Sequence, residues 1–221
     1  IAQLSRGDIF YTLVRSIVGQ QISVYAADAV WERLEKSVSK RDCQKTLIWF
    51  HVASAGELLQ AQPLIKGCSI NGSDCVLTYS SINAFRWLEK AEQKKNLNLL
   101  AAEFLPLDLI SNVRRLLGLL QPSRLIWVSY DLWPNLVWEA YRQQIPQSLV
   151  SGIVHSSSLR TVSFVGRSLF RSLYRNLEHI LTVSEELKRL KYFNDVGGLS
   201  YVCLLYTSPS PRDRQKCRMP S

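Results

Sequence analysis

Two carboxylates stand where a strand-like run gives way to a helical pattern. In FHVASAGELLQAQPLI, residues 50–65, the apolar run ends at His51-Val52, the small residues Ala53-Ser54-Ala55-Gly56 follow, and Glu57 heads a helix. In LIWVSYDLWPNLVWEAYRQQIP, residues 125–146, the run ends at Val128, Ser129-Tyr130-Asp131 interrupts it, and Leu132-Trp133-Pro134-Asn135 opens a second helix. A carboxylate at such a junction can take a proton from an attacking hydroxyl. Gly56 beside it lets a ligand approach the backbone closely. Each residue also has a plain structural use. A glutamate in a first helical turn is favoured by the helix dipole. Asp131 can be an N-cap, Pro134 is ordinary at a helix start, and Trp133 can be core. Ser156-Ser157-Ser158 could hold a phosphate at a helix end or form a polar loop. Arg167, Arg171 and Arg175 recur at helical spacing as one possible basic stripe.

The elements that must position these residues alternate along the middle of the chain. Strand-like runs fall at 46–52, 75–79, 97–101, 124–128, 148–153 and 179–183. Helix-like runs fall at 57–65, 83–95, 109–120, 132–143, 164–176 and 185–193. The strand runs are short and almost wholly apolar, as in strands covered on both faces. That alternation predicts a Rossmann-like parallel sheet of five to seven strands with helices on both faces. In such sheets ligands bind at the carboxyl edge, so Glu57 and Asp131 are expected to share one site.

Composition bounds the rest. The 221 residues are 47% apolar, which predicts a folded core, and the net charge is +9. Residues 41–200 hold 18 Lys/Arg against 13 Asp/Glu, a mild excess that suits an anionic partner. The cysteines are Cys43, Cys68, Cys75, Cys203 and Cys217, with no CxxC spacing, so neither a zinc site nor a disulfide framework is expected. No apolar run reaches the roughly 18 residues that a membrane span needs.

The stretches IWFHVASAGELLQAQPLI, EFLPLDLISNVRRLLGLLQPSRLIWVSYDLWPNL and HILTVSEELKRL, in that order, resemble the N-terminal domain of 3-deoxy-D-manno-octulosonic acid (Kdo) transferases. The resemblance covers about residues 44–202. It implies the N-terminal half of a GT-B glycosyltransferase, in which this domain receives a lipid A precursor and a second domain, absent from this chain, holds the donor CMP-Kdo. It implies Glu57 as the catalytic base and Ser54, Gly56, Asp131, Asn135 and Ser158 as acceptor-binding residues. No cofactor and no metal are implied. The expected partners are the lipid A precursor and an anionic membrane surface, at the cytoplasmic face of the inner membrane, and nucleic acid is not expected. Ser129 stands where the family pattern has an acidic residue, and Ile153 where it has an arginine.

Two flanking pieces read differently. FYTLVRSIVGQQISVYAADAVWERLE, residues 10–35, resembles two helices of DNA-3-methyladenine glycosylase II; residues 1–40 form a separate helical piece, and residues 8–36 are expected to pack weakly on the α/β unit. Residues 203–221, CLLYTSPSPRDRQKCRMPS, resemble a translated sequencing adapter and are expected to be disordered, because they hold little to bury. The alternative to the transferase reading is a base-excision glycosylase remnant, or a chimeric reading frame without function.

Overall fold

The fold follows from strands that are apolar on both sides. In a computed structural model of the chain, residues 24–89, 96–129, 131–152, 164–182 and 199–201 are described. In chain order these form α1 (Val24–Val38), β1 (Leu47–Val52), α2 (Ala55–Ile70), β2 (Asp74–Tyr79), α3 (Ile82–Leu88), β3 (Ala101–Phe104) and α4 (Ile110–Leu120). Then come β4 (Arg124–Val128), α5 (Pro134–Arg142), β5 (Gln147–Gly152), α6 (Phe164–Arg175), β6 (His179–Thr182) and β7 (Leu199–Tyr201).

The strands form one seven-stranded sheet in the order β3-β2-β1-β4-β5-β6-β7, and every neighbouring pair is parallel. This is the doubly wound, Rossmann-like arrangement that the alternation predicts. The order reverses between β1 and β4. Alternate residues of one strand feed opposite layers. From β1, Leu47 and Trp49 join α1, α4, α5 and α6 on one face. Phe50 and Val52 join α2 and α3 on the other.

Three expectations need correction. The third strand is Ala101–Phe104, not 97–101. Its pairing with β2 runs from Val76 opposite Ala101 to Tyr79 opposite Phe104. The apolar run before it turns at Asn98, whose φ of 47° is one that asparagine tolerates. A buried glutamate, Glu103, sits inside the strand and breaks its apolar signature.

The second correction concerns the front of the chain. Helix α1 packs tightly: Val30, Trp31 and Leu34 are buried in the core against β3 and α4. Arg33 forks onto Glu103 at 2.6 and 2.8 Å. Arg115 lies 4.2 Å over the Trp31 ring and reaches Glu35 at 2.8 Å. The cause is topological. β3 is an edge strand, and α1 covers its otherwise open face. The third correction is the cap of α5, described with the site. The glycosylase-like stretch up to residue 23, the expected helix at 185–193 and the tail at 203–221 lie outside the described residues.

Candidate functional site

The carboxyl ends of β1 and β4 flank the point where the strand order reverses, and both carboxylates follow these strands. Ser54 is the N-cap of α2. Its extended backbone turns the chain, and its hydroxyl accepts from the Glu57 amide at 3.3 Å. The Glu57 carboxylate reaches back to accept from the Ala53 amide. Ser54 and Glu57 thus make a close relative of the capping box, S-x-x-E, which holds the glutamate side chain over its own helix end.

That position is buried, with Glu57 only 5% exposed. Burial pushes its carboxyl up to about 7; the Ala53 amide opposes this, and the charge of Asp131 adds to it. A carboxyl titrating near neutrality can both hold and release a proton, as a general base must. Gly56 lies in the first turn of α2, and among the described residues a Cβ there would meet only Ser54 Oγ, at 3.8 Å. Packing against the described residues therefore does not require glycine at 56.

Asp131 is built into a network that the spacing of motifs did not show. Its Oδ2 accepts from Ser80 Oγ and from Trp133 Nε1, each at 3.2 Å, and lies 3.4 Å from His51 Nε2. His51 is completely buried at the end of β1. Its Nδ1 is 2.9 Å from Thr78 Oγ1, which accepts from Trp49 Nε1 at 2.9 Å. Two proton arrangements satisfy these contacts. With the Thr78 hydroxyl donating to Nδ1, the ring carries its proton on Nε2 and donates it to Asp131; with that hydroxyl turned to the Phe50 carbonyl, 3.5 Å away, Nδ1 donates to Thr78. The Trp133 indole lies 3.2 Å from both Nε2 and Asp131 Oδ2 and can donate to either. Burial raises the Asp131 carboxyl, but the hydrogen bonds and charge of His51, with Ser80 and Trp133, outweigh it and hold the group below its ordinary range. Among the described residues every one of these bonds falls on Oδ2 and none on Oδ1.

Asp131 does not cap α5. Trp133 occupies the cap position without a side-chain bond, and the cap comes from Asp108 in the loop after β3. Its two carboxylate oxygens accept from the Asn135 amide at 2.9 Å and the Leu136 amide at 3.0 Å. The Asn135 side chain donates to the Asp108 carbonyl, which ties this residue to the loop. Asp108→Ala is expected to destabilise the chain by about 1–2 kcal/mol, with Asp108→Asn recovering part of that, in urea unfolding. An unchanged midpoint would show that water caps α5 equally well.

Backbone strain collects at the same edge. Ser129 has φ 66° at the end of β4, and Ser151 has φ 53° in β5. Both are non-glycine residues in the left-handed region, which is disfavoured by about 1–2 kcal/mol. The Ser129 amide donates to Val150 at 2.9 Å, and its hydroxyl donates to Gln60 at 3.4 Å.

The structure thus brings Ser54, Gly56, Glu57 and Asp131 to one edge, places Asn135 in the Asp108 tether, and leaves Ser158 outside the described residues. Sequence reading missed His51, Thr78, Ser80 and Asp108. His51 and Thr78 did leave a signal. Each is a polar residue inside an apolar strand buried on both faces, where it must find a partner.

Comparison with known proteins adds an independent line. A protein-family model described as 3-Deoxy-D-manno-octulosonic-acid transferase (kdotransferase) matches residues 28–198. A 3-deoxy-D-manno-octulosonic acid transferase of Bordetella pertussis is 29% identical over 145 residues, 63% of this chain and 32% of that protein. One from Rickettsia conorii is 30% identical over 188 residues, 85% of this chain and 37% of that protein. A probable mitochondrial 3-deoxy-D-manno-octulosonic acid transferase of Arabidopsis thaliana is 32% identical over 117 residues, 52% of this chain and 25% of that protein. The chain spans about a third of the length of these curated relatives. Among solved structures, the UDP-GlcNAc 2-epimerase of Neisseria meningitidis aligns with a TM-score of 0.45 at 15% identity, covering 66% of this chain and 42% of that one.

Proposed function

The chain belongs to the 3-deoxy-D-manno-octulosonic acid (Kdo) transferase family, a family of glycosyltransferases, and on that premise we propose that it is the acceptor-binding half of such an enzyme. The reaction moves Kdo from CMP-Kdo to a lipid A precursor in lipopolysaccharide biosynthesis. The donor is held by a second, GT-B-type domain outside this chain. The observation that carries the reading is Glu57: a buried carboxyl that burial pushes up to about 7, at the carboxyl end of β1, where the strand order reverses.

In the reaction Glu57 removes the proton from an acceptor hydroxyl. The oxygen forms a bond to the anomeric carbon of Kdo, CMP leaves with the electron pair of the broken bond, and the configuration inverts. Asp131 Oδ1, unclaimed among the described residues, accepts from an acceptor hydroxyl. Gly56 leaves room beside the Ser54 hydroxyl for the sugar to approach. Asn135 holds the entrance of α5 in place, and Ser158 contacts the acceptor. The acceptor's phosphates suit the excess of basic side chains, and the enzyme works at the cytoplasmic face of an anionic membrane. No helix among the described residues is long and apolar enough to cross that membrane.

Transfer requires donor and acceptor in one near-attack geometry, so the chain alone is expected to be inactive. Joining it after about residue 200 to the remainder of a curated relative tests this. The expected result is Kdo transfer by the fusion and none by the chain alone. The chain alone is expected to bind vesicles containing a phosphorylated lipid A precursor at about 0.05 M salt and to release them at about 0.5 M. Transfer by the unjoined chain would overturn the half-enzyme reading.

A further inference from the structure

Filling a core does not call for an imidazole where β1 has one. His51 is fully buried on the α5 side of the sheet, edge-on to Trp127 with ring centroids 5.6 Å apart. Leucine or phenylalanine would fill such a space without any polar group to satisfy, and a buried polar group costs free energy unless it is bonded. Here both ring nitrogens are engaged, one toward the interior and one toward the site. Nδ1 is held by Thr78, whose hydroxyl is fixed by Trp49. Nε2 faces Asp131, with Ser80 Oγ 3.3 Å away. The chain of contacts runs from the middle of the sheet to the carboxylate at its edge. It links β1, β2 and the loop after β4.

The network also has room for a second proton. Thr78 Oγ1 lies 3.5 Å from the Phe50 carbonyl as well as 2.9 Å from His51 Nδ1. If the ring becomes doubly protonated, Nδ1 donates to Thr78 and the hydroxyl proton turns to Phe50. No buried donor then loses its partner. The ring can therefore stay bonded to Asp131 in either state.

We propose that His51 is a positioning residue: from inside the sheet it anchors Oδ2 of Asp131 and fixes this carboxylate at the sheet edge that also carries Glu57. This rests on the reading of Glu57 as the base, because Asp131 is the neighbouring charge that Glu57 senses. The charged groups around the ring are Asp131 and, at longer range, Asp108; those around Asp131 are His51 and Glu57. His51 itself touches no substrate.

The test is a carbon-detected NMR titration of the side-chain carboxyls of Asp131 and Glu57 in the full chain, which needs no turnover. In His51→Phe the Asp131 carboxyl should titrate higher than in the wild type, because its largest opposing hydrogen bond and charge are gone. In His51→Gln, whose amide can donate near the Nε2 position, it should return part of the way. In Asp131→Asn the Glu57 carboxyl should titrate below about 7. The Trp133 indole N–H resonance should follow the Asp131 titration in the wild type. If His51→Phe fails to fold, Thr78→Val provides the same reading, because it frees Nδ1 and should raise Asp131 in the same direction by less. A purely structural role would change stability and leave these titrations in place. An Asp131 titration unmoved in a folded His51 or Thr78 variant would overturn the proposal. The outcome is separable from the base assignment. Were Glu57→Gln to retain transfer, the base reading would fall and the titration shifts would stand.

Discussion

Glu57→Gln is expected to abolish Kdo transfer by the enzyme joined to its donor domain and, at the same time, to make the folded chain more stable above pH 7. The catalytic loss follows from removing a general base, worth about 10²–10⁴-fold in rate. The gain in stability follows from the same burial. In the folded chain the carboxyl titrates near 7, whereas its ordinary value is 4.5. Between those values the folded chain holds a proton that the unfolded chain has lost. Stability therefore falls as pH rises through this window and levels off above it. The full shift corresponds to about 3 kcal/mol, which partial contact with solvent at the site reduces to about 2 kcal/mol. Glutamine resembles the protonated acid and does not ionise. Urea unfolding should give coincident curves for the two proteins near pH 4 and a higher midpoint for the variant at pH 8.5. An equal gain at both pH values would trace the effect to packing and not to charge. Retained transfer would show that another group takes the proton.

Leu34→Ala should lower the stability of the whole chain by about 2–5 kcal/mol, a large part of the roughly 5–15 kcal/mol typical of a domain. Leu34 is 0% exposed and lies in the cluster that also holds Trp49, Leu117 and Trp127. Truncation there removes apolar contacts and leaves a cavity that the flanking helix and strand close only in part. Arg33→Ala should act more locally. It leaves Glu103, whose side chain is only 12% exposed, without its bidentate partner on the edge strand. The measurement is a single urea transition followed by far-ultraviolet circular dichroism and by tryptophan fluorescence. Loss of stability with both signals still coincident would show that α1 and the sheet unfold as one unit. A Leu34→Ala midpoint equal to the wild type would show that α1 is an appendage, as the glycosylase-like stretch at its start suggests.

The layered architecture, and the edge where chemistry would sit, could be read from local pattern alone. Each strand of a doubly wound sheet is covered on both faces, so it reads as a short apolar run wherever it is placed. The helices between the runs show their own period. A residue that follows a strand and opens a helix must lie at the carboxyl edge, which is why Glu57 could be singled out within its own stretch of chain. The Ser54–Glu57 bond left a local signal too, S-x-x-E at one helix end, but it went unread until the structure showed it. What the other side chains do depends on which distant segments the fold brings together. The partners of Asp131 come from His51 on β1, Ser80 after β2 and Trp133 before α5, as much as 80 residues away. Asp108 caps a helix that begins 26 residues later, and Arg33 meets Glu103 across 70. Such pairs depend on strand order and register. Local periodicity carries no information about these, because it records which face a residue takes and not which neighbour the sheet will bring to it. The same limit misplaced β3, whose buried Glu103 is paired by Arg33 of α1, 70 residues earlier in the chain.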